Sequence, residues 1–190
     1  MMSTPRILVF GGSLRAGSYN QKLATIAAAG AREAGAEVTL IALRDFRIPL
    51  FDEDLETEEG MPENARKLKA IFAEHDGLII ASPEYNSTIT AALKNSIDWV
   101  SRANTPDEEP LSVLKGKSAA ILSASPSGYG GARSLTQLRP FLENIHISVL
   151  PDQVSVPKAY EAFDADGNLA DAAQQAAVKA LAAALVAKLS

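Results

Sequence analysis

The chain contains no cysteine. That absence removes disulfides, thiolate metal sites, iron–sulfur clusters and cysteine nucleophiles together. Only two histidines occur, His75 and His146, too few for a multi-histidine metal centre. No apolar run approaches the ~20 residues of a membrane span, and the N-terminus has no apolar signal region. These absences point to a cytoplasmic protein without membrane association. Positive charge is in deficit: 18 Lys and Arg stand against 23 Asp and Glu, a formal net charge of −5 at pH 7. No basic stripe with interleaved aromatics appears, so nucleic acid is not an expected partner. What is present is a chain of 190 residues, 47% hydrophobic, sufficient for a single domain over 1–190 with a sizeable core.

The most informative stretch is Gly11-Gly-Ser-Leu-Arg-Ala-Gly-Ser-Tyr-Asn20, between the apolar run Ile7–Phe10 and the alanine-rich run Gln21–Ala28. The first run has the length of a buried strand and the second reads as a helix, so the loop lies at a strand-to-helix handover. Gly11, Gly12 and Gly17 permit a tight turn and a close approach to a ligand. Ser13, Ser18 and Asn20 supply hydrogen-bonding side chains, Arg15 a permanent positive charge, and the helix start free N–H groups. Together these suit a phosphate. Gly12-x-x-x-x-Gly17-Ser18 has the glycine spacing of a P-loop, yet Ser18 stands where that motif needs lysine. G-x-G-x-x-G is also absent, so the dinucleotide fingerprint fails. A hydroxyl-rich loop with one arginine fits a terminal monophosphate better. On this loop alone, an ordinary turn with Ser18 as N-cap stays open.

Further strands are expected at Glu37–Ala42, Leu78–Ala81, Ser118–Leu122 and His146–Leu150. Pro62 and Glu63 open a helix with Ala65, Leu68, Ile71 and Phe72 on one face, and a later helix carries Leu93, Ile97 and Val100. Arg133–Asn144 is helical in pattern, and Pro140 predicts a kink or a split after Arg139. The acidic stretch Asp52–Gly60 is expected as a solvated surface connection. Asp164–Asn168 lacks the glutamate that a calcium loop requires and is expected as a turn before a last helix, Leu169–Leu189. Lys94 and Asp98 are spaced to pair on a helix surface. Trp99 is expected in the core or an interface, His75 exposed at a helix end, and His146 structural.

Strands alternating with helices imply a parallel sheet covered on both faces. The order 2-1-3-4-5 sets the loops after strands one, three and four side by side at the carboxyl edge, where such sheets bind ligands. Those three loops are the unusual ones: Gly11–Asn20, Ser82–Thr88 and Ser123–Gly131. The expectation is one cleft with a phosphate end and two walls.

Four segments then carry a resemblance: Gly12-Ser-Leu-Arg-x-Gly-Ser-x-Asn20-x-x-Leu-Ala24, Ser82-Pro-Glu-Tyr-Asn86, Leu93-Lys-Asn-x-x-Asp-Trp99 and Ser125-Pro-x-Gly-x-Gly-Gly131. Together they resemble the NADPH-dependent FMN reductase family, a flavodoxin-like group that includes quinone, chromate and azo-dye reductases. Ser127 departs from the glycine often found after the proline of the last motif. The resemblance implies a flavodoxin-like, doubly wound α/β fold with a five-stranded parallel sheet in the order 2-1-3-4-5 and helices on both faces. It implies that Ser13, Arg15, Ser18, Tyr19 and Asn20 hold the FMN phosphate. Pro83, Glu84, Tyr85 and Asn86 would line the isoalloxazine ring, and Ser125, Gly128, Gly130 and Gly131 would close the opposite wall.

The implied activity is FMN-dependent oxidation of NADPH or NADH, with quinones or similar small-molecule electron acceptors reduced by two-electron hydride transfer in ping-pong order. No side chain receives a catalytic role, because flavin N5 carries the chemistry. The implied assembly is a homodimer or homotetramer. The alternative is a flavodoxin-like carrier that passes single electrons between proteins and does not itself use NAD(P)H.

Overall fold

A computed structural model describes residues 4–190 of the chain. Its centre is a sheet of five parallel strands, β1 (Arg6–Gly11), β2 (Glu37–Ala42), β3 (Gly77–Ala81), β4 (Ser118–Ala124) and β5 (Ser148–Val156). Their spatial order is β2-β1-β3-β4-β5, the expected flavodoxin-like arrangement. The helices are α1 (Tyr19–Glu33), α2 (Glu53–Glu59), α3 (Glu63–Ala73), α4 (Ala91–Ser101), α5 (Ala132–Asn144), α6 (Ala159–Ala162) and α7 (Ala172–Leu189).

The two-residue period of a strand sorts the core into two layers. Ile7, Val9, Ile79 and Leu122 pack beneath α1 and α7, while Leu8, Phe10, Ile80 and Ile121 pack beneath α3, α4 and α5. Because both faces are covered, β1, β3 and β4 are almost continuously apolar and buried. A third, smaller cluster holds fully buried Trp99 with Met61 and Ala65. The Trp99 indole N–H donates to the Pro49 carbonyl at 2.9 Å, and Phe51 meets its ring edge-on at 5.0 Å.

Several expectations need correction. The acidic stretch is not a bare connection, since Glu53–Glu59 forms α2. Asp52 caps it by accepting from the Asp54 N–H at 2.9 Å, and acidic residues fill its positive first turn. α5 runs unbroken through Pro140. The proline and Thr136, whose carbonyl loses its helical donor, both lie on the exposed side, while Leu138 and Leu142 stay buried around them. β5 continues past Leu150 to Val156 with Pro151 inside it. It is an edge strand, and its register slips between Ala119↔Val149 and Ile121↔Gln153. A proline is tolerated at such a place. Arg139 braces the slip by donating to the carbonyls of Leu150 at 2.8 Å and Pro151 at 3.1 Å. His75 is buried, not exposed: one ring nitrogen lies 2.6 Å from the Ile71 carbonyl and the other 2.7 Å from the Thr39 hydroxyl.

Candidate active site at the carboxyl edge of the sheet

The first loop is built by the beginning of α1. Ser18 caps that helix, its hydroxyl accepting from the Gln21 N–H at 3.4 Å. The Gln21 side chain accepts from the Gly11 N–H at 3.2 Å and donates to the Ile41 carbonyl at 3.0 Å, tying the helix to β1 and β2. A Cβ on Gly11 would stand 2.9 Å from the Gln21 nitrogen, so this glycine admits the helix and not a ligand. The N–H groups of Tyr19 and Asn20 find no acceptor among the described residues and remain open at the helix start. Arg15 is exposed, with its guanidinium 5.0 Å from the centre of the Tyr19 ring. Tyr19 in turn stacks on Phe163, 5.9 Å away, so the segment after α6 props up the phosphate-type loop.

Buried polar struts bind the three loops together. The Asn20 side chain donates to the Ala124 carbonyl at 2.7 Å and accepts from the Ala124 N–H at 2.9 Å. Thr90 donates to the Gly12 carbonyl at 2.6 Å while capping α4, and Ser123 donates to the Ser82 carbonyl at 2.6 Å. In the second loop Tyr85 and Thr88 exchange two backbone hydrogen bonds around Asn86 and Ser87. Those central residues have φ of 51° and 65°, the sign pattern of a type I′ turn. The turn projects Tyr85 outward, 53% exposed.

The loops enclose a cleft of about 340 Å³ lined by Ser13, Arg15, Ser18, Tyr19, Asn20, Pro83, Glu84, Tyr85 and Ser125, together with Ala124 and Pro126. Asn86 lies outside that lining, in the exposed turn, and Gly128 sits in the exposed part of the third loop. Gly130 and Gly131 are buried beneath it. Gly131 has φ of 85°, and a Cβ there would collide with the Ser123 hydroxyl, so it must be glycine for the third loop to reach β4. Arg133, Thr90 and Phe163 support the cleft without having been expected from the sequence. Each acts through a partner distant in the chain, so local patterning carries no sign of them.

Glu84 is the cleft's most constrained side chain. Its carboxylate is 4% exposed, and both donors of Arg133 go to the same oxygen, Oε1, with the Nε contact at 2.8 Å. Arg133 lies 4.9 Å from the Tyr129 ring centre, and the hydrogen bonds it donates to Glu84 raise the pKa of its guanidinium. The other oxygen, Oε2, is buried without a partner among the described residues. A buried carboxylate oxygen without a donor costs free energy, about 1–3 kcal/mol or more.

The family model described as NADPH-dependent FMN reductase matches residues 5–161. The chain belongs to that family. It is thus a flavin-dependent oxidoreductase with FMN as cofactor and NAD(P)H as co-substrate. It is 38% identical over 167 residues to an NAD(P)H-dependent FMN reductase of Pseudomonas aeruginosa, covering 87% of this chain and 85% of that one. It is 34% identical over 192 residues to an NAD(P)H:quinone oxidoreductase of Solanum tuberosum, covering 97% and 94%. Among solved structures, the flavoenzyme NAD(P)H:acceptor oxidoreductase FerB of Paracoccus denitrificans superposes with a TM-score of 0.78 at 26% identity, covering 98% of this chain and 97% of that one.

The residues present fit FMN. The open amides of Tyr19 and Asn20 and the exposed Arg15 suit its phosphate. Its ribityl hydroxyls and ring N–H are donors of the kind that Glu84 Oε2 lacks. The lining contains neither histidine nor lysine, and its one carboxylate, Glu84, is held by Arg133. Among the described residues, no helix is long and apolar enough to cross a membrane.

Proposed function

We propose that the protein oxidises NAD(P)H and reduces quinones or similar small aromatic acceptors by two-electron transfer in ping-pong order. The observation that carries this is one cleft that brings together an open helix start, Arg15 and Glu84, whose Oε2 has no partner among the described residues. Ser13, Arg15, Ser18 and the Tyr19 and Asn20 amides bind the FMN phosphate. Pro83, Glu84 and Tyr85 form the wall beneath the ring, with Asn86 completing the turn that presents them. Ser125, Gly128, Gly130 and Gly131 form the opposite wall, whose buried glycines hold it against β4 and β5. Bound FMN supplies hydride acceptance and donation at N5. The protein binds, orients and excludes water, and needs no acid or base of its own. NAD(P)H and the acceptor use the same open face, so oxidised nucleotide must leave before the acceptor enters. Each turnover converts NAD(P)H, a proton and a quinone into NAD(P)⁺ and hydroquinone.

The reading extends to a cytoplasmic homodimer or homotetramer built on one domain over 1–190. Tyr85, exposed in the cleft lining, and the exposed Leu50 support association with a second copy. Light scattering should then give at least twice the chain mass of 20.1 kDa. The deciding experiment is fluorescence titration of the cofactor-free protein with FMN and with riboflavin, followed by steady-state kinetics. FMN should bind at least tenfold more tightly, and double-reciprocal plots against both substrates should be parallel. Equal affinity for the two flavins removes the phosphate site, and intersecting plots remove the ping-pong order.

A further inference from the structure

A second cleft, of about 390 Å³, lies beside the first and is lined by Leu14, Arg44, Phe46, Arg47, Ile48, Ala92, Asn95 and Ser96. Its volume is in the range of small-molecule sites. Successive residues of the first loop divide between the two clefts, Ser13 and Arg15 facing one and Leu14 the other. The first loop is thus a wall shared by the two clefts.

The chemistry of this cleft is specific. Leu14, Phe46, Ile48 and Ala92 give it an apolar floor, and Asn95 is already committed to the Phe51 N–H and the Pro49 carbonyl. Its rim carries two exposed guanidinium groups on a protein of net charge −5. Arg44 has only a 3.7 Å contact with its neighbour Asp45, in which both side chains are well exposed. Arg47 meets no carboxylate among the described residues. An apolar floor under two exposed arginines, one of them without a carboxylate partner among the described residues and the other only loosely paired with Asp45, suits a flat aromatic group with a phosphate at its edge.

We infer that this cleft receives the adenosine end of the reduced nucleotide, with Arg44 and Arg47 binding the 2′-phosphate that distinguishes NADPH from NADH. The inference rests on the reading of the neighbouring cleft as the flavin site. Neither arginine contacts the reacting ring, so their effect falls on nucleotide choice and not on turnover.

The test compares wild type with the double variant Arg44→Ala/Arg47→Ala and with Arg44→Lys/Arg47→Lys. A charge-assisted contact removed from a phosphate is worth about ten- to a hundredfold in affinity. The preference for NADPH over NADH in kcat/KM should fall by that factor in the alanine variant, through KM and not kcat, and recover in part with lysine. FMN affinity should be unchanged. Calorimetric titration of the FMN-loaded protein with 2′,5′-ADP and with 5′-AMP reads the cleft without turnover. The 2′-phosphorylated probe should bind more tightly to wild type only. Equal binding of the two probes, or equal effects on both nucleotides, overturns the inference. So does a fall in sedimenting mass with both nucleotides affected alike, which would mean that a second copy covers the cleft. A wild-type protein that oxidises neither nucleotide defeats the functional reading instead, and the two probes still decide the cleft.

Discussion

Replacing Asn20 separates two roles that its position allows. In the structure its amide is spent on Ala124, accepting at 2.9 Å and donating at 2.7 Å, with Asn20 only 3% exposed and Ala124 only 2%. Asn20→Ala removes both partners and leaves a buried N–H and a buried C=O unpaired. Each costs about 1–3 kcal/mol, so the variant should lose about 2–6 kcal/mol of stability. For a chain of this size that is a fall in Tm of roughly 5–15 °C. Asn20→Asp should behave comparably: the carboxylate still accepts from the Ala124 N–H but turns an anionic oxygen on the Ala124 carbonyl. Because the strut joins the first and third loops, FMN affinity should fall together with stability. The assay is denaturant unfolding of the cofactor-free protein, paired with FMN titration of the same samples. If Asn20→Ala unfolds within about 0.5 kcal/mol of wild type while FMN binding is lost, the strut is refuted. The amide then serves the phosphate directly.

Arg15→Ala should weaken FMN binding about ten- to a hundredfold, since it removes a charge-assisted contact of about 1.5–3 kcal/mol. Ser18→Ala should cost less, and isothermal titration of both variants checks the order. The hydrogen bond from Lys69, followed by that from Ser112, lowers the Glu108 pKa from the ordinary glutamate range to about 2. A depressed carboxylate stabilises the fold above its unfolded pKa and loses that contribution as pH falls through the folded one. The Lys69–Glu108 pair at 2.6 Å should thus contribute on the order of 1–2 kcal/mol near neutrality, lost between about pH 5 and pH 2. Glu108→Gln should flatten that acid limb in pH-dependent unfolding; an unchanged limb would remove the pair from the ledger. Ser87 holds φ of 65°, where glycine is unstrained. Ser87→Gly should therefore leave stability unchanged or raise it by up to about 1 kcal/mol, and a lower Tm would contradict the turn assignment.

The sequence by itself determined what depends on neighbours a few residues apart. Apolar runs such as Ile7–Phe10 and Leu78–Ala81 dictated buried parallel strands, and their alternation with helices dictated the layered sheet. The glycine- and serine-rich handover at Gly11–Asn20, lacking a P-loop lysine, already pointed to a monophosphate. Errors arose where tertiary context overrides a local rule. Pro140 breaks no helix because it and Thr136, whose carbonyl it deprives of a donor, lie on the exposed side, and Pro151 stays in a strand because that strand is an edge. His75 is buried because β2 offers the Thr39 hydroxyl to its ring.

The site's supports were legible only in three dimensions. Asn20 meets Ala124 across 104 residues, Arg133 meets Glu84 across 49, and Phe163 reaches Tyr19 from the far end of the chain. Local propensity acts through φ and ψ over a turn or two and has no means of registering such partners. They become neighbours only when strand order, register and helix placement bring the loops to one edge, and it is there that a buried Glu84 oxygen is left without a partner among the described residues.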